Sequence, residues 1–170
     1  MNQKRLINLG KAHFLIMEQS LHCQKILASI LRGFGVRDID APTDSNSAKD
    51  LLRKVSFDLI ILDPGFDKGR GFDILRWMRR QSGLANRFAP AILMIGHSTK
   101  SIIEQARDSG GNSVISKPYP PKLLVERIMS LSHDRRPYVE VKDYIGPDRR
   151  FKYEISAAAE ERRSQQTDES

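Results

Sequence analysis

Between residues 14 and 131 the chain repeats one alternation five times: a short run with an apolar centre, continuously apolar at 14–17 and 91–95, then a longer stretch with apolar residues at helical spacing. The short runs are 14–17, 36–41 (the weakest), 58–62, 91–95 and 113–116. Each is too short for a helix, and apolar residues that run on without alternating need cover on both faces. The intervening stretches, 21–34, 47–54, 72–80, 98–108 and 121–131, predict helices. The first carries Leu21, Ile26, Leu27, Ile30 and Leu31, with Ser20 as N-cap and Gly33 and Gly35 as stops. Ser47 and Asp50 have capping-box spacing. Ile74, Leu75 and Met78 share a face of the third helix, and Gly110 and Gly111 end the fourth. Pro121 suits the first turn of the last helix, whose apolar residues are Leu123, Leu124, Ile128, Met129 and Leu131. Strands buried on both faces and alternating with helices predict a parallel sheet with helices on each side, an α/β fold.

In such sheets ligands bind outside the carboxyl ends of the strands. That rule directs attention to Glu18 and Gln19, Asp63 to Asp67, Gly96 to Ser98, and Lys117. Asp63 closes the third strand, Glu18 the first, and Lys117, followed by Pro118, the fifth. Two carboxylates and one ammonium thus converge from three strands. Paired carboxylates suit a hard cation such as Mg2+. An ammonium beside them can steady the charge of a phosphoryl group. A carboxylate can itself be the nucleophile, giving an acyl phosphate.

The run Asp58-Leu-Ile-Ile-Leu-Asp63 with Gly71 eight residues on, the run Pro90-Ala-Ile-Leu-Met-Ile95, and Ser116-Lys117-Pro118-Tyr119 together resemble bacterial response-regulator receiver domains of two-component systems. The resemblance covers residues 12–132. It implies a flavodoxin-like (βα)5 parallel sheet of order 2-1-3-4-5, the order for which the chemotaxis regulator is a standard example. It implies a phosphoacceptor at Asp63 and a phosphoryl-stabilising Lys117. It also implies Mg2+ held by Glu18, Gln19, Asp63 and the backbone carbonyl of Gly65, and a sensor histidine kinase or phosphotransfer protein as donor. The downstream protein is not identified. The departures matter as much. The family has two adjacent acids after the first strand; here the second is Gln19, a weaker ligand that lowers metal affinity. The fourth strand ends in Ile95 where the family has Thr or Ser, and Val114 stands where it has a mobile aromatic, so both members of the usual switch pair are missing. Asp67 takes a place where Pro is common, in a polar, glycine-rich loop, 64–70.

Two readings therefore stand: a receiver in a phosphorelay that accepts phosphate on Asp63 and acts by protein–protein contact, or a receiver-like binding module that is never phosphorylated. A third, from another class, is a small phosphohydrolase using Asp63 and Asp67 as nucleophile and acid. Beyond phosphotransfer to its own Asp63, no enzyme activity is expected.

The expected organisation is a receiver domain over 12–133 and a mostly irregular, partly disordered polar tail over 134–170, with a short helix around 157–163. A tail of that length is too short for an effector domain with its own core. No apolar run reaches the ~18 residues that cross a bilayer, so a cytoplasmic protein with no membrane partner is expected. The net charge of +7 is unevenly placed: residues 1–133 carry 20 Lys+Arg against 12 Asp+Glu, and 134–170 carry 8 against 9. The basic residues are scattered without interleaved aromatics, so a solvated surface is favoured over a nucleic-acid interface. Arg76, Arg79 and Arg80 are read as one such solvated face. The one cysteine, Cys23, is read as a small buried hydrophobe, and Trp77 as packing. The four histidines lack metal-ligand spacing, though His97 lies near the site. In the tail, Gly146, Pro147 and Asp148 are turn chemistry that presents Arg149 and Arg150, flanked by Tyr144 and Phe151. That motif either folds back on its own domain or binds a partner.

Overall fold

A computed structural model describes residues 9–96 and 99–150; His97, Ser98 and the helix expected around 157–163 lie outside the described residues. The strands are β1 (His13–Met17), β2 (Asp38–Asp40), β3 (Leu59–Leu62), β4 (Ala91–Ile95) and β5 (Ser113–Ser116). They pair in parallel in the order β2-β1-β3-β4-β5. The helices are α1 (Leu21–Gly33), α2 (Ser45–Lys54), α3 (Gly71–Arg80), α4 (Lys100–Asp108) and α5 (Pro121–Ser132), with a single helical turn at Phe66–Gly69 before α3. No described helix is long and apolar enough to cross a membrane.

Alternation along each strand sends side chains to both faces, and both are filled. Leu15, Met17, Ile60, Leu62 and Leu93 pack with Leu52 of α2, Ile74 and Met78 of α3 and Ala106 of α4. Phe14, Ile16, Ile61, Ile92 and Met94 pack with Leu27 and Leu31 of α1 and Leu124 and Ile128 of α5. The uninterrupted apolar runs are the direct consequence of this two-sided burial.

Local readings need correction at three helices. The capping box of α2 is Asp44 with Ser47, not Ser47 with Asp50: the Asp44 carboxylate accepts from the Asn46 and Ser47 N–H groups, each at 2.9 Å, and Ser47 Oγ accepts from Asp44 N. The same residue spacing occurs one turn earlier with an acid as the cap. On α1 the buried stripe is narrower than its apolar residues suggest, because Leu21 and Ile26 are 61% and 46% exposed. Cys23, on the same helix, is an exposed thiol rather than a buried hydrophobe. Third, Arg79 is not part of a solvated face: it is 1% exposed. Four residues after Leu75, its stem follows the apolar side of α3.

The segment after α5 also departs from an irregular tail. Tyr138–Val141 (β6) and Tyr144–Pro147 (β7) form an antiparallel hairpin that folds back on the domain. Tyr138 Oη donates to Asn112 Oδ1 at 3.0 Å, and the Arg79 guanidinium lies 5.1 Å from the Tyr138 ring. Arg87 pairs with Glu140 at 2.7 Å and Arg149 with Asp108 at 2.9 Å. A Cβ on Gly110 would collide with the Ile145 carbonyl oxygen, so only glycine admits β7 so close. The Asn112 amide oxygen also accepts from Ala91 N at the start of β4. The hairpin therefore lies at the amino ends of β4 and β5, opposite the pole where Asp63 sits. Of the two alternatives for the tail, Tyr144 to Arg149 follow the fold-back.

Candidate functional site

The register between β1 and β3 pairs Met17 with Leu62, so the residues that follow, Glu18 and Asp63, emerge side by side. Asp63 N extends the ladder by donating to Met17 O at 2.8 Å, and Lys117 N does the same to Ile95 O at 2.8 Å. Three residues far apart in sequence are thus placed by backbone pairing before their side chains meet. The Lys117 ammonium donates to Glu18 Oε2 at 2.5 Å and to Asp63 Oδ2. Each carboxylate is also tied to a nearby backbone amide: Asp63 Oδ1 accepts from Gly65 N at 2.6 Å, and Glu18 Oε1 from Ser20 N at 3.0 Å.

The three side chains are 6% (Glu18), 17% (Asp63) and 23% (Lys117) exposed. Burial alone pushes the Lys117 ammonium below the ordinary lysine value, but the hydrogen bonds and charges of Asp63 and Glu18 outweigh it, and the net shift is upward. Lys117 is therefore a fixed positive charge throughout the neutral range, with Asp63 still open to solvent.

Gly71, whose spacing from Asp63 belongs to the sequence pattern, has a steric explanation. A Cβ there would overlap the Asp63 carbonyl oxygen and approach Pro64 Cα to 2.8 Å, both backbone atoms that cannot step aside. Gly71→Ala is expected to destabilise the domain by roughly 1–3 kcal/mol, as overpacking against a fixed neighbour does, and to shift the Asp63 and Gly65 amide resonances. Gly83→Ser, in an open turn at φ +81°, should leave those resonances in place and serves as the control.

Asp67 is held elsewhere. Its carboxylate accepts from Ser45 N at 3.1 Å and from Ser45 Oγ, and sits 3.5 Å from Arg70. The Ser45 hydrogen bonds hold it below the usual carboxylate range. Asp67 and Lys68 both adopt left-handed backbone, at φ 47° and 62°. A carboxyl that resists protonation is a poor general acid, which counts against the phosphohydrolase reading. Ser45, which anchors this loop from α2, was not signalled by the sequence, because the contact joins residues 22 apart.

The expected metal ligands form an all-oxygen set: Glu18, Asp63, the Gln19 amide and the Gly65 carbonyl. Gln19 is exposed, and the Gly65 carbonyl already accepts from Gly69 N at 3.1 Å. No cluster of three or more His, Cys, Asp or Glu side chains suited to a metal occurs among the described residues. With two anionic donors the set fits a hard cation, but weakly. At the end of β4 the Ile95 side chain is 1% exposed and offers no hydrogen bond, while Val114 packs against the cluster beneath α3 and α4.

Comparison with known proteins places these features in a family. The model of the response regulator receiver domain matches residues 14–129. The chemotaxis protein CheY of Pseudomonas aeruginosa is 25% identical over 114 residues, 67% of this chain and 90% of its own. The DNA-binding response regulator MtrA of Mycobacterium tuberculosis is 26% identical over 118 residues, and the chain spans 49% of its length. Among solved structures, the chemotaxis response regulator CheY4 of Vibrio cholerae superposes with a TM-score of 0.63 at 21% identity, covering 71% of this chain and 98% of the other. The receiver domain of a sensor histidine kinase from Pseudomonas aeruginosa, with a magnesium ion coordinated in its active-site cleft, gives 0.60 at 24% identity, covering 71% and 95%.

Proposed function

This chain belongs to the response-regulator receiver domain family of two-component signalling, and we propose that in it Asp63 accepts a phosphoryl group. Receiver domains exchange phosphoryl groups with histidine kinases or phosphotransfer proteins. The single observation that carries the reading is the convergence of Asp63, Glu18 and Lys117 at the strand ends, with the acceptor carboxylate solvent-accessible. An Asp63 carboxylate oxygen attacks phosphorus of a donor phosphohistidine; the P–N bond breaks, its electron pair stays on the imidazole, and an acyl phosphate forms. Lys117 moves from the carboxylate pair toward the new phosphoryl oxygens and offsets their charge. Glu18, Gln19, Asp63 and the Gly65 carbonyl would hold Mg2+, which when bound screens the phosphoryl charge. Residues 12–133 form the receiver body and 134–170 an appendage, with output through protein contact.

A second reading, a module that binds partners without phosphorylation, is favoured by Ile95 and Val114, which supply neither the hydroxyl nor the aromatic of the family's usual switch. Beryllofluoride, a mimic of the acyl phosphate, separates the two. With Mg2+ it should perturb the amide resonances of Asp63, Gly65 and Lys117 and leave Asp63→Asn unchanged. Absence of those perturbations in the wild-type protein would favour the second reading. Gln19→Asp should tighten Mg2+ binding on the order of tenfold, since ligand charge sets affinity in such sites; a titration followed on the same resonances measures it.

A further inference from the structure

We propose that a cavity between α4, β5, α5 and the appended hairpin binds a phosphate-bearing organic anion of nucleotide size. The cavity, half open to solvent, has a volume of about 490 Å3, within the range of small-molecule sites. Four arginines reach it from four directions: Arg107 from α4, Arg127 from α5, Arg136 from the segment after α5, and Arg149 from beyond β7. Two are fixed in place. Arg136 grips Asp134 through Nε at 2.9 Å and Nη2 at 2.6 Å, and donates to Asn112 O at 3.0 Å. Arg149 pairs with Asp108 and lies 4.0 Å from the Tyr144 ring centroid. The other two, Arg107 and Arg127, make no ion pair among the described residues. Setting the four cations against Asp108 and Asp134 leaves an excess of two positive charges around one concave space.

The remaining wall combines apolar Ile103, Val114 and Pro147 and the Tyr144 ring with polar Asn112 and Ser113. Guanidinium groups at pre-set positions match phosphate oxygens, and an apolar wall beside them matches a ring system. Four guanidinium groups converging on one concave space fit the clustered charge of a compact phosphorylated molecule better than an extended acidic peptide, whose charges are spread along its length. The cavity exists only because the hairpin closes it: Tyr144, Pro147 and Arg149 all lie in the fold-back segment. Val114 lines it from β5, three residues before Lys117 in sequence.

The proposal does not depend on Asp63. The test is an NMR titration of the full chain with ADP and, separately, inorganic pyrophosphate, at about 0.15 M salt, where distant surface charges are screened, with EDTA present. ADP should shift the amides of Gly111, Asn112 and Ser113 and the Arg149 Nε–H. It should bind at least tenfold tighter than pyrophosphate, and Asp63→Asn should leave its affinity unchanged. Affinity should fall at least tenfold in Arg107→Glu/Arg127→Glu and in the milder Arg107→Gln/Arg127→Gln, both made at exposed positions. The proposal is overturned by ADP affinity indifferent to those changes, by pyrophosphate binding as tightly as ADP, by shifts centred on Gly65, or by a polyglutamate peptide binding where ADP does not.

Discussion

Arg79→Met should lower the unfolding free energy by about 3 kcal/mol, the upper range for a single substitution. The guanidinium is fully buried and no carboxylate faces it among the described residues. It is satisfied instead by oxygens at two chain turns. Nη1 donates to Arg87 O at 2.6 Å, Nε and Nη2 donate to Gly110 O at 3.2 and 3.1 Å, and Nη2 also donates to Asn112 Oδ1 at 3.3 Å. Gly110 lies just past the carboxyl end of α4, where the helix dipole favours a cation. Burial pushes the guanidinium down from its ordinary value, yet arginine stays charged in proteins. Methionine fills much of the stem's volume but removes the donor from the Arg87 and Gly110 carbonyl oxygens, an acceptor costing about 1–3 kcal/mol when buried and unpaired, while Asn112 Oδ1 keeps its bonds from Ala91 N and Tyr138 Oη. In a chain of this size the loss corresponds to a fall in melting temperature of roughly 6–12 °C. Because the same side chain lies under Tyr138, the hairpin amides should lose hydrogen-exchange protection before the sheet does. Arg80→Met, on the exposed neighbour, should change stability by no more than about 0.5 kcal/mol.

Lys117→Met should slow phosphorylation of Asp63 by about two orders of magnitude, the usual cost of removing one preorganised positive group from a site where negative charge develops. It also alters the pH dependence of stability. In the wild-type protein the Lys117 pKa is raised above the ordinary lysine value of 10.5, so its contribution is intact below that pH and is lost only as pH rises through the folded value. That contribution is absent from the variant at every pH, so the stability gap between wild type and variant should hold steady through the neutral range and narrow only at strongly alkaline pH. Mass-resolved phosphorylation time courses, and denaturant melts at neutral and alkaline pH, read both effects.

What could be read in advance was whatever depends on short-range pattern. Leu59 to Leu62 and Ala91 to Ile95 announce two-sided burial by lacking polar alternation, and the parallel sheet follows. Glu18, Asp63 and Lys117 were legible because each ends such a run, and strand ends share one pole. The hairpin was not legible. Its two-residue connection, Lys142 and Asp143, lacks the glycine that signals a tight hairpin turn. Its anchors, Arg79, Asn112 and Gly110, lie far back in the chain. Arg79 itself looked like one of three charged residues at the end of a helix, and only the packing of α3 against α4 and the hairpin makes it interior. On α1, apolar residues exceed the stripe the sheet can cover, so Leu21, Ile26 and Cys23 stay outside.

Exposure of the protein to acetyl phosphate and Mg2+, followed by intact mass measurement, tests the central claim most directly. A gain of one phosphoryl group in the wild-type chain, absent in Asp63→Asn and much slower in Lys117→Met, is the predicted result. An unchanged wild-type mass, or a gain that persists in Asp63→Asn, would contradict it.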